Sequence, residues 1–329
     1  ADGPASLRML AAMTDTPLTS RSESLSEPEP RVAREIERRG PALLEDLRLH
    51  VGLPTGLNNA AALDETRQRF RERAEALGAA CEIDEGRPRP AWLTSPGVDP
   101  TPPPTLIARR GGTARPAVLI AGHLDTVHDP ASDFRELSVA PGNKTATGPG
   151  CVDMKGGLVI AMAALEALDA CGVPASWTLL LNSDEETGTY HSEHTIRREA
   201  SGHVFGLALE PALPDGALAV ERMGSGQFML ECFGRASHVG RDFASGVSAV
   251  TALAERLVAL AALADVSRER IVSVGPISGG TATNAVPDYA SARGNARFPN
   301  AEIAAELEAA LRALGTTEDA MPRALMHTS

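Results

Sequence analysis

Aromatic residues are scarce: two Trp, two Tyr and seven Phe make up 3% of a 329-residue chain. Little is left for base-stacking platforms. Basic excess is missing too, with a formal net charge of −12 and a pI near 5.2. Nucleic-acid partners, which call for a clustered basic surface, are therefore not expected. The four cysteines, Cys81, Cys151, Cys171 and Cys232, form no CxxC pair. They do not read as a disulfide framework, and they fit a reducing, cytoplasmic compartment. No run approaches the ~18 apolar residues of a membrane span. The stretch Met9 to Met13 is too short for a secretory apolar segment, and Asp15 stops it from extending. The first residue is Ala, so a native N-terminus is not assumed. What the chain does have is 43% apolar and 22% charged residues and a mean hydropathy of −0.10. That is an ordinary globular composition, and the length suits about two domains at roughly 150 residues each.

Residues 1–30 are rich in Ser, Pro, Thr and Glu and read as a disordered lead-in. A helical pattern begins near Pro30. A clearer helix is expected from Asp64, as N-cap, to Leu77, with Leu63, Phe70, Ala74 and Leu77 on one face. Seven prolines between 88 and 104 mark a stiff surface loop. Short apolar strands are expected at Thr105–Arg109, Ala117–Ala121, Trp177–Leu181 and Phe205–Leu209. Helices at Gly157–Ala170 and Ser192–Ala200 alternate with them. This order predicts an α/β domain over 31–215, with a mostly parallel sheet and flanking helices. From 216 to 329 the texture changes. Strands at Gln227–Phe233, Ile271–Val274 and Ala285–Arg297, with helices at Val247–Leu263 and Glu302–Leu314, predict a smaller α+β domain.

Candidate ligands collect at the ends of the apolar strands. Ala117–Ala121 runs into His123 and Asp125, Trp177–Leu181 into Glu185 and Glu186, and Phe205–Leu209 into Glu210. Asp153 opens the Ala-rich helix. The carboxyl ends of parallel strands share one edge, so these residues are expected within a few ångströms of one another. One imidazole with several carboxylates suits a borderline cation such as Zn²⁺. Taken singly, each residue also has an ordinary reading. Asp153 complements a helix dipole, Glu185 and Glu186 form a solvated pair, and His123 is a satisfied polar residue. Asp125 can orient His123. His191 and His194, three apart, read as surface residues.

The blocks Ala121-Gly122-His123-Leu124-Asp125-Thr126-Val127, Gly150 to Gly157 with Asp-Met-Lys-Gly-Gly, and Ser183-Asp184-Glu185-Glu186-Thr187-Gly188 resemble the dinuclear zinc exopeptidase and deacylase family. That family includes glutamate carboxypeptidase, aminoacylase, acetylornithine deacetylase and succinyl-diaminopimelate desuccinylase. Gly234-Arg235-Ala236-Ser237-His238-Val239-Gly240 and Gly279 to Asp288 resemble segments of its lid or dimerisation domain. The resemblance implies His123 and Glu210 on one metal, Asp153 bridging two, and Glu186 on the second. It implies Zn²⁺, with Co²⁺ or Mn²⁺ as substitutes, and Glu185 as general base with Asp125 orienting His123. His238 would act across a homodimer, and Asn284 and Arg297 would contact substrate. The activity implied is hydrolysis of an amide bond in an N-acyl amino acid or short peptide with a free carboxylate.

The family's second metal also takes a His from a later segment. Beyond His238 only His327 is present, and it is not assigned to metal. The tail reads as a shortened end, with the lid expected to lack its last strand and the catalytic sheet its final elements. A truncated pseudoenzyme acting as a dimerising or binding protein is the alternative. An aminopeptidase with the same metals is a third reading.

Overall fold

The structure, a computed structural model, describes residues 28–56, 59–94, 101–111, 117–142, 145–316 and 319–329. The lead-in read at 1–30 lies, up to residue 27, outside the described residues. These residues divide into two compact units. The first runs up to Arg89 and resumes from Thr101 to Pro211. The second takes Pro90–Thr94 and Ala212–Ser329.

In the first unit the order is α1 (Glu29–Gly52), α2 (Ala60–Ala76), β1 (Ala80–Asp84), β2 (Thr105–Arg110), β3 (Val118–His123), α3 (Gly156–Ala170), β4 (Trp177–Asn182), α4 (Glu193–Ser201) and β5 (Phe205–Ala208). The sheet runs β1-β2-β4-β3-β5. The three strands that end in candidate ligands, β4, β3 and β5, are mutually parallel. β1 and β2 extend the sheet antiparallel. β4 is buried at every position, as its unbroken apolar run requires. α3 buries seven apolar side chains from Leu158 to Ala167. β5 forms as expected but is exposed throughout, because among the described residues it has a sheet neighbour only in β3. Phe205 and Leu207 are 58% and 42% exposed.

Two local readings change. α2 starts four residues before Asp64, where Asn59 caps it by accepting from Ala62 N. Asp64 instead pairs with Arg67 inside the helix. β1 was not anticipated. Its Glu82 and Asp84 disguise an edge strand whose Cys81 and Ile83 pack on the core. That core joins Phe70, Leu106, Leu124, Met154, Met162, Leu179 and Leu181. Around it, partly buried charges tie the helices together. Arg73 of α2 reaches Asp46 of α1 at 2.7 Å and Glu166 of α3 at 2.8 Å. Arg39 of α1 meets the same Glu166 at 2.9 Å.

The second unit holds β6 (Gly224–Phe233), α5 (Ala249–Ala261), β7 (Ile271–Gly279), β8 (Tyr289–Phe298), α6 (Ala301–Arg312) and β9 (Arg323–Thr328). Its antiparallel sheet runs β7-β8-β6-β9. Ser248 caps α5 through Thr251 N and Asn300 caps α6 through Ile303 N. Phe228, Leu230 and Cys232 of β6 meet Leu253 and Leu260 of α5 and Leu307 and Leu311 of α6 in one core.

Two expectations fail here. The strand read over Ala285–Arg297 is split. Ala285–Val286 pairs with Ser237–His238, and the β8 ladder starts only after Pro287, which has no N–H to give. The missing closing strand is also corrected, since the tail supplies it as β9. Ala324 is 1% exposed and Met326 packs on the same core. This period of two is easily lost in six residues. Trp92, from the segment that belongs to this unit, stacks on His327 with ring centroids 5.8 Å apart.

Phe70 is 1% exposed and stacks on His50 of α1 at 4.7 Å. Phe70→Ala is expected to cost about 3–5 kcal/mol. Denaturant unfolding followed by circular dichroism reads this. A loss under ~1 kcal/mol would mean that the site collapses freely and that Phe70 is not central to this core.

Candidate metal centre

Register brings the first ligands together. β3 and β4 run parallel with His123 opposite Asn182. β3 and β5 pair Ala121 with Ala208, and Leu209 N donates to Ala121 O at 3.0 Å. Two residues beyond that pair lie His123 and Glu210, with Nε2 and Oε1 3.6 Å apart. The third partner comes from the turn before α3. Gly150 has φ +63°, and a Cβ there would sit 2.5 Å from Thr126 Cγ2. The chain then turns through an extended Asp153, whose peptide to Met154 is cis. Asp153 Oδ1 lies 3.0 Å from His123 Nε2. Lys155 secures the turn by donating to Leu53 O at 2.7 Å. A Cβ on Gly157 would stand 2.1 Å from Leu209 O, so only glycine lets α3 begin this close to the residue before Glu210.

Asp125 organises the rest. Its main-chain carbonyl is 2.9 Å from His123 Nδ1, and its Oδ1 is 3.4 Å from the same nitrogen. Its carboxylate also accepts from the backbone N–H groups of Glu185, at 3.3 Å, and Glu186, at 2.9 Å. One buried side chain therefore holds both the imidazole and the Glu185–Thr187 turn. The second task depends on tertiary contact and could not be read from spacing. Deeper still, Asp184 fixes the loop after β4 by accepting from His191 N, Ser192 N and Ser192 Oγ.

Ligand atoms of His123, Asp153 and Glu186 lie within 4.8 Å of one another, as do those of His123, Glu185 and Glu210. The two groups share His123, so the structure brings Asp153 and Glu186 to it in one and Glu185 and Glu210 in the other. Crowding shifts the titrating groups. Burial opposes charge on His123, but the hydrogen bond and field of Asp125, then Glu185 and Glu210, push its pKa up to about 9. Burial, then the charge of Asp153, raises Glu186 to about 7. Burial also raises Glu185, which His123 partly offsets.

Other candidates lie elsewhere. The reading of His191 as a surface residue is corrected: it is 6% exposed, with Nδ1 2.7 Å from Arg87 O. His194 is partly buried against Asp84 at 3.3 Å. In the second unit, the short pair Ser237–His238 and Ala285–Val286 sets His238 beside Asn284, whose carbonyl accepts from Val239 N at 3.0 Å. Arg297 is not on that turn. It lies eight residues along β8 from Tyr289, about 26 Å at the rise of an extended strand, and donates to Asn295 Oδ1 at 2.9 Å. His327 lies in this second unit as well, 2.8 Å from Glu231 Oε2.

Comparison with known proteins shows what the chain is similar to. Residues 220–320 match the M20 family described as Peptidase dimerisation domain. Carboxypeptidase G2 of Pseudomonas sp. (strain RS-16) is 26% identical over 212 residues, covering 64% of this chain and 50% of its own. A succinyl-diaminopimelate desuccinylase of Methylobacterium nodulans is 31% identical over 265 residues, covering 73% of this chain and 63% of its own. The chain therefore spans about half to three-fifths of the curated relatives it matches. A Staphylococcus aureus tripeptidase has the same fold, with TM-score 0.64, 19% identity and coverage of 87% of this chain and 74% of that one. So does an M20 metallo-carboxypeptidase of Sulfolobus solfataricus, with TM-score 0.59, 18% identity and coverage of 87% and 77%. The chain is thus similar in sequence to M20-type carboxypeptidases and desuccinylases over part of their length, and similar in fold to M20 peptidases.

Because Asp125 holds His123 and the Glu185–Thr187 turn at once, Asp125→Ala is expected to weaken divalent-metal binding by roughly 10–100-fold. Competition against a chromophoric chelator measures it. Unchanged affinity would show that the ligands hold their places without this carboxylate.

Proposed function

We propose that the protein is a metal-dependent hydrolase of amide bonds, acting on an N-acyl amino acid or short peptide with a free carboxylate. The observation that supports this is the gathering of one imidazole and four candidate carboxylate ligands or bases, Asp153, Glu185, Glu186 and Glu210, at one sheet edge. The donor set fits a borderline divalent ion: nitrogen and oxygen donors, within 4.8 Å of one another in each group, with no thiolate among them. In this reading His123 and Glu210 would hold one ion, Glu186 would hold a second, and Asp153 would serve both. Zn²⁺ is the first choice, with Co²⁺ or Mn²⁺ as substitutes. The ions supply Lewis acidity, polarising the scissile carbonyl and acidifying water.

The chain's own residues do the rest. Glu185 stands at the cluster with its pKa raised by burial, which suits a base that takes a water proton and returns it to the leaving amine. Asp125 keeps His123 oriented and presents the Glu185–Thr187 turn. His238 would stabilise the developing oxyanion from a neighbouring protomer, and Asn284 and Arg297 would hold the substrate carboxylate. Two relatives bear the names carboxypeptidase and desuccinylase, which support release of an amine from an acyl group. The dimerisation-domain match supports a homodimer. Among the described residues no helix is long and apolar enough to cross a membrane. Four free cysteines support a cytoplasmic setting.

Glu185→Ala is expected to keep metal uptake near the parent value and to slow hydrolysis of an N-acyl glutamate by about 10²–10⁴-fold. Near-parent turnover would remove Glu185 from the role of base. Parent protein that takes up metal yet hydrolyses no amide would favour the binding-protein reading. For His238, mixing inactive Glu185→Ala chains with inactive His238→Ala chains is expected to restore activity in heterodimers. Background activity after verified subunit exchange would count against action across the dimer.

A further inference from the structure

The proline-rich run between β1 and β2 has no part in the carboxylate cluster, and its stretch Pro90–Thr94 belongs to the second unit. There Trp92, partly buried, stacks on His327 of β9 with ring centroids 5.8 Å apart and planes inclined by 26°. The segment is a single helical turn and not a strand of that sheet. Its N–H groups bond inward, Leu93 N to Pro90 O at 2.9 Å and Thr94 N to Ala91 O at 3.0 Å.

His327 is held from a second side. Leu230, Cys232, Ala324 and Met326 take the helix-packed face of β6 and β9, so by alternation Glu231 and His327 share the opposite face. His327 Nε2 lies 2.8 Å from Glu231 Oε2. Tyr289 of β8 donates to the other oxygen, Oε1, at 2.8 Å. The carboxylate is fixed between a phenol and an imidazole, and the imidazole between a carboxylate and an indole. Other charged groups on this face are Arg293, opposite Met229, Arg297 further along β8, and Arg323, which lies 4.6 Å over the Phe233 ring. The carboxylate of Ser329 follows two residues after His327, and Pro90–Thr94 brings no charge.

We propose that His327 is a proton-operated clasp for the segment Pro90–Thr94. A neutral imidazole stacks on the indole and hydrogen-bonds to Glu231. A protonated one keeps both contacts and strengthens the first, because a cation within about 6 Å of an indole centroid is drawn to the ring face, by a factor of roughly two to five at a part-exposed site. Glu231 faces His327 whether or not the segment is seated, so it positions the ring and does not make the difference. Gaining a proton therefore tightens the seat of Trp92, and losing it loosens that seat. Because β1 and β2 of the first unit flank the segment in sequence, the clasp governs a stretch of chain that the two units share.

The chain has two tryptophans, so labelling the full chain with 5-fluorotryptophan gives two ¹⁹F NMR lines. Trp92→Phe assigns them, and Trp177, 2% exposed, serves as the internal reference. Broadening of the Trp92 line by a soluble nitroxide measures how exposed that ring is. Between about pH 8 and about pH 5.5, where imidazoles ordinarily take up a proton, the broadening is expected to fall roughly two- to fivefold. His327→Gln, which takes up no proton, is expected to show no such fall. His327→Arg, charged throughout, is expected to keep the low value at both pH values, and with the parent it carries the test should His327→Gln fail to fold. Parent broadening that ignores pH, a parent-like response in His327→Gln, or the parent's pH 8 broadening in His327→Arg would each overturn the proposal.

Discussion

Five carboxylates crowd around one imidazole, and like charge at that spacing resists assembly. The fold opposes the repulsion with position. His123, Glu210 and the Glu185–Thr187 turn sit at or just past the ends of three parallel strands whose register is locked by a buried core. Asp153 arrives on a turn pinned by Gly150, Lys155 and the tight seat of Gly157. Protons absorb part of the remaining cost: His123 is pushed toward its charged form and Glu186 toward its neutral one. Such a centre is incomplete electrostatically without a cation, which is the physical sense of its kinship with metallopeptidases.

Asp125 shows how one residue can serve two elements that are distant in sequence. Its carbonyl and carboxylate face His123, two positions away, while the carboxylate also collects the N–H groups of Glu185 and Glu186, sixty positions on. A carboxylate accepting from two successive backbone N–H groups holds the turn at two points at once. Removing it disturbs the imidazole and the turn together.

Much of this was legible in the sequence because each candidate ligand follows an apolar run. His123 after Ala117–Ala121, Glu185 and Glu186 after Trp177–Leu181, and Glu210 after Phe205–Leu209 are read by the rule that parallel strands share an edge. Asp153 is read from its place before an Ala-rich helix. What escaped was decided by contacts across the fold. β1 and β9 are five and six residues long, too short for their alternation to stand out, and pairing with β2 and β6 makes them strands. Asn59 caps the helix, and Asp64, already inside it, pairs with Arg67 one turn on. His191 is polar and lies in a loop, yet it is buried because Asp184 draws that loop inward.

β5 has a further consequence for the order in which the centre forms and opens. It joins the sheet through β3 alone among the described residues, and its four residues are exposed. Its pairing with β3 spans more than eighty residues, so it is a non-local contact that folding makes late. Edge strands with one neighbour are also first to open in native-state fluctuations. Glu210 follows β5 by two residues and travels with it. The imidazole sits in the buried interior and the Glu185–Thr187 turn is held by Asp125, while one carboxylate of the centre follows an exposed edge strand. Loss of the β3–β5 pairing alone would carry one carboxylate away from the centre and leave the other candidate ligands on their own strands and turns.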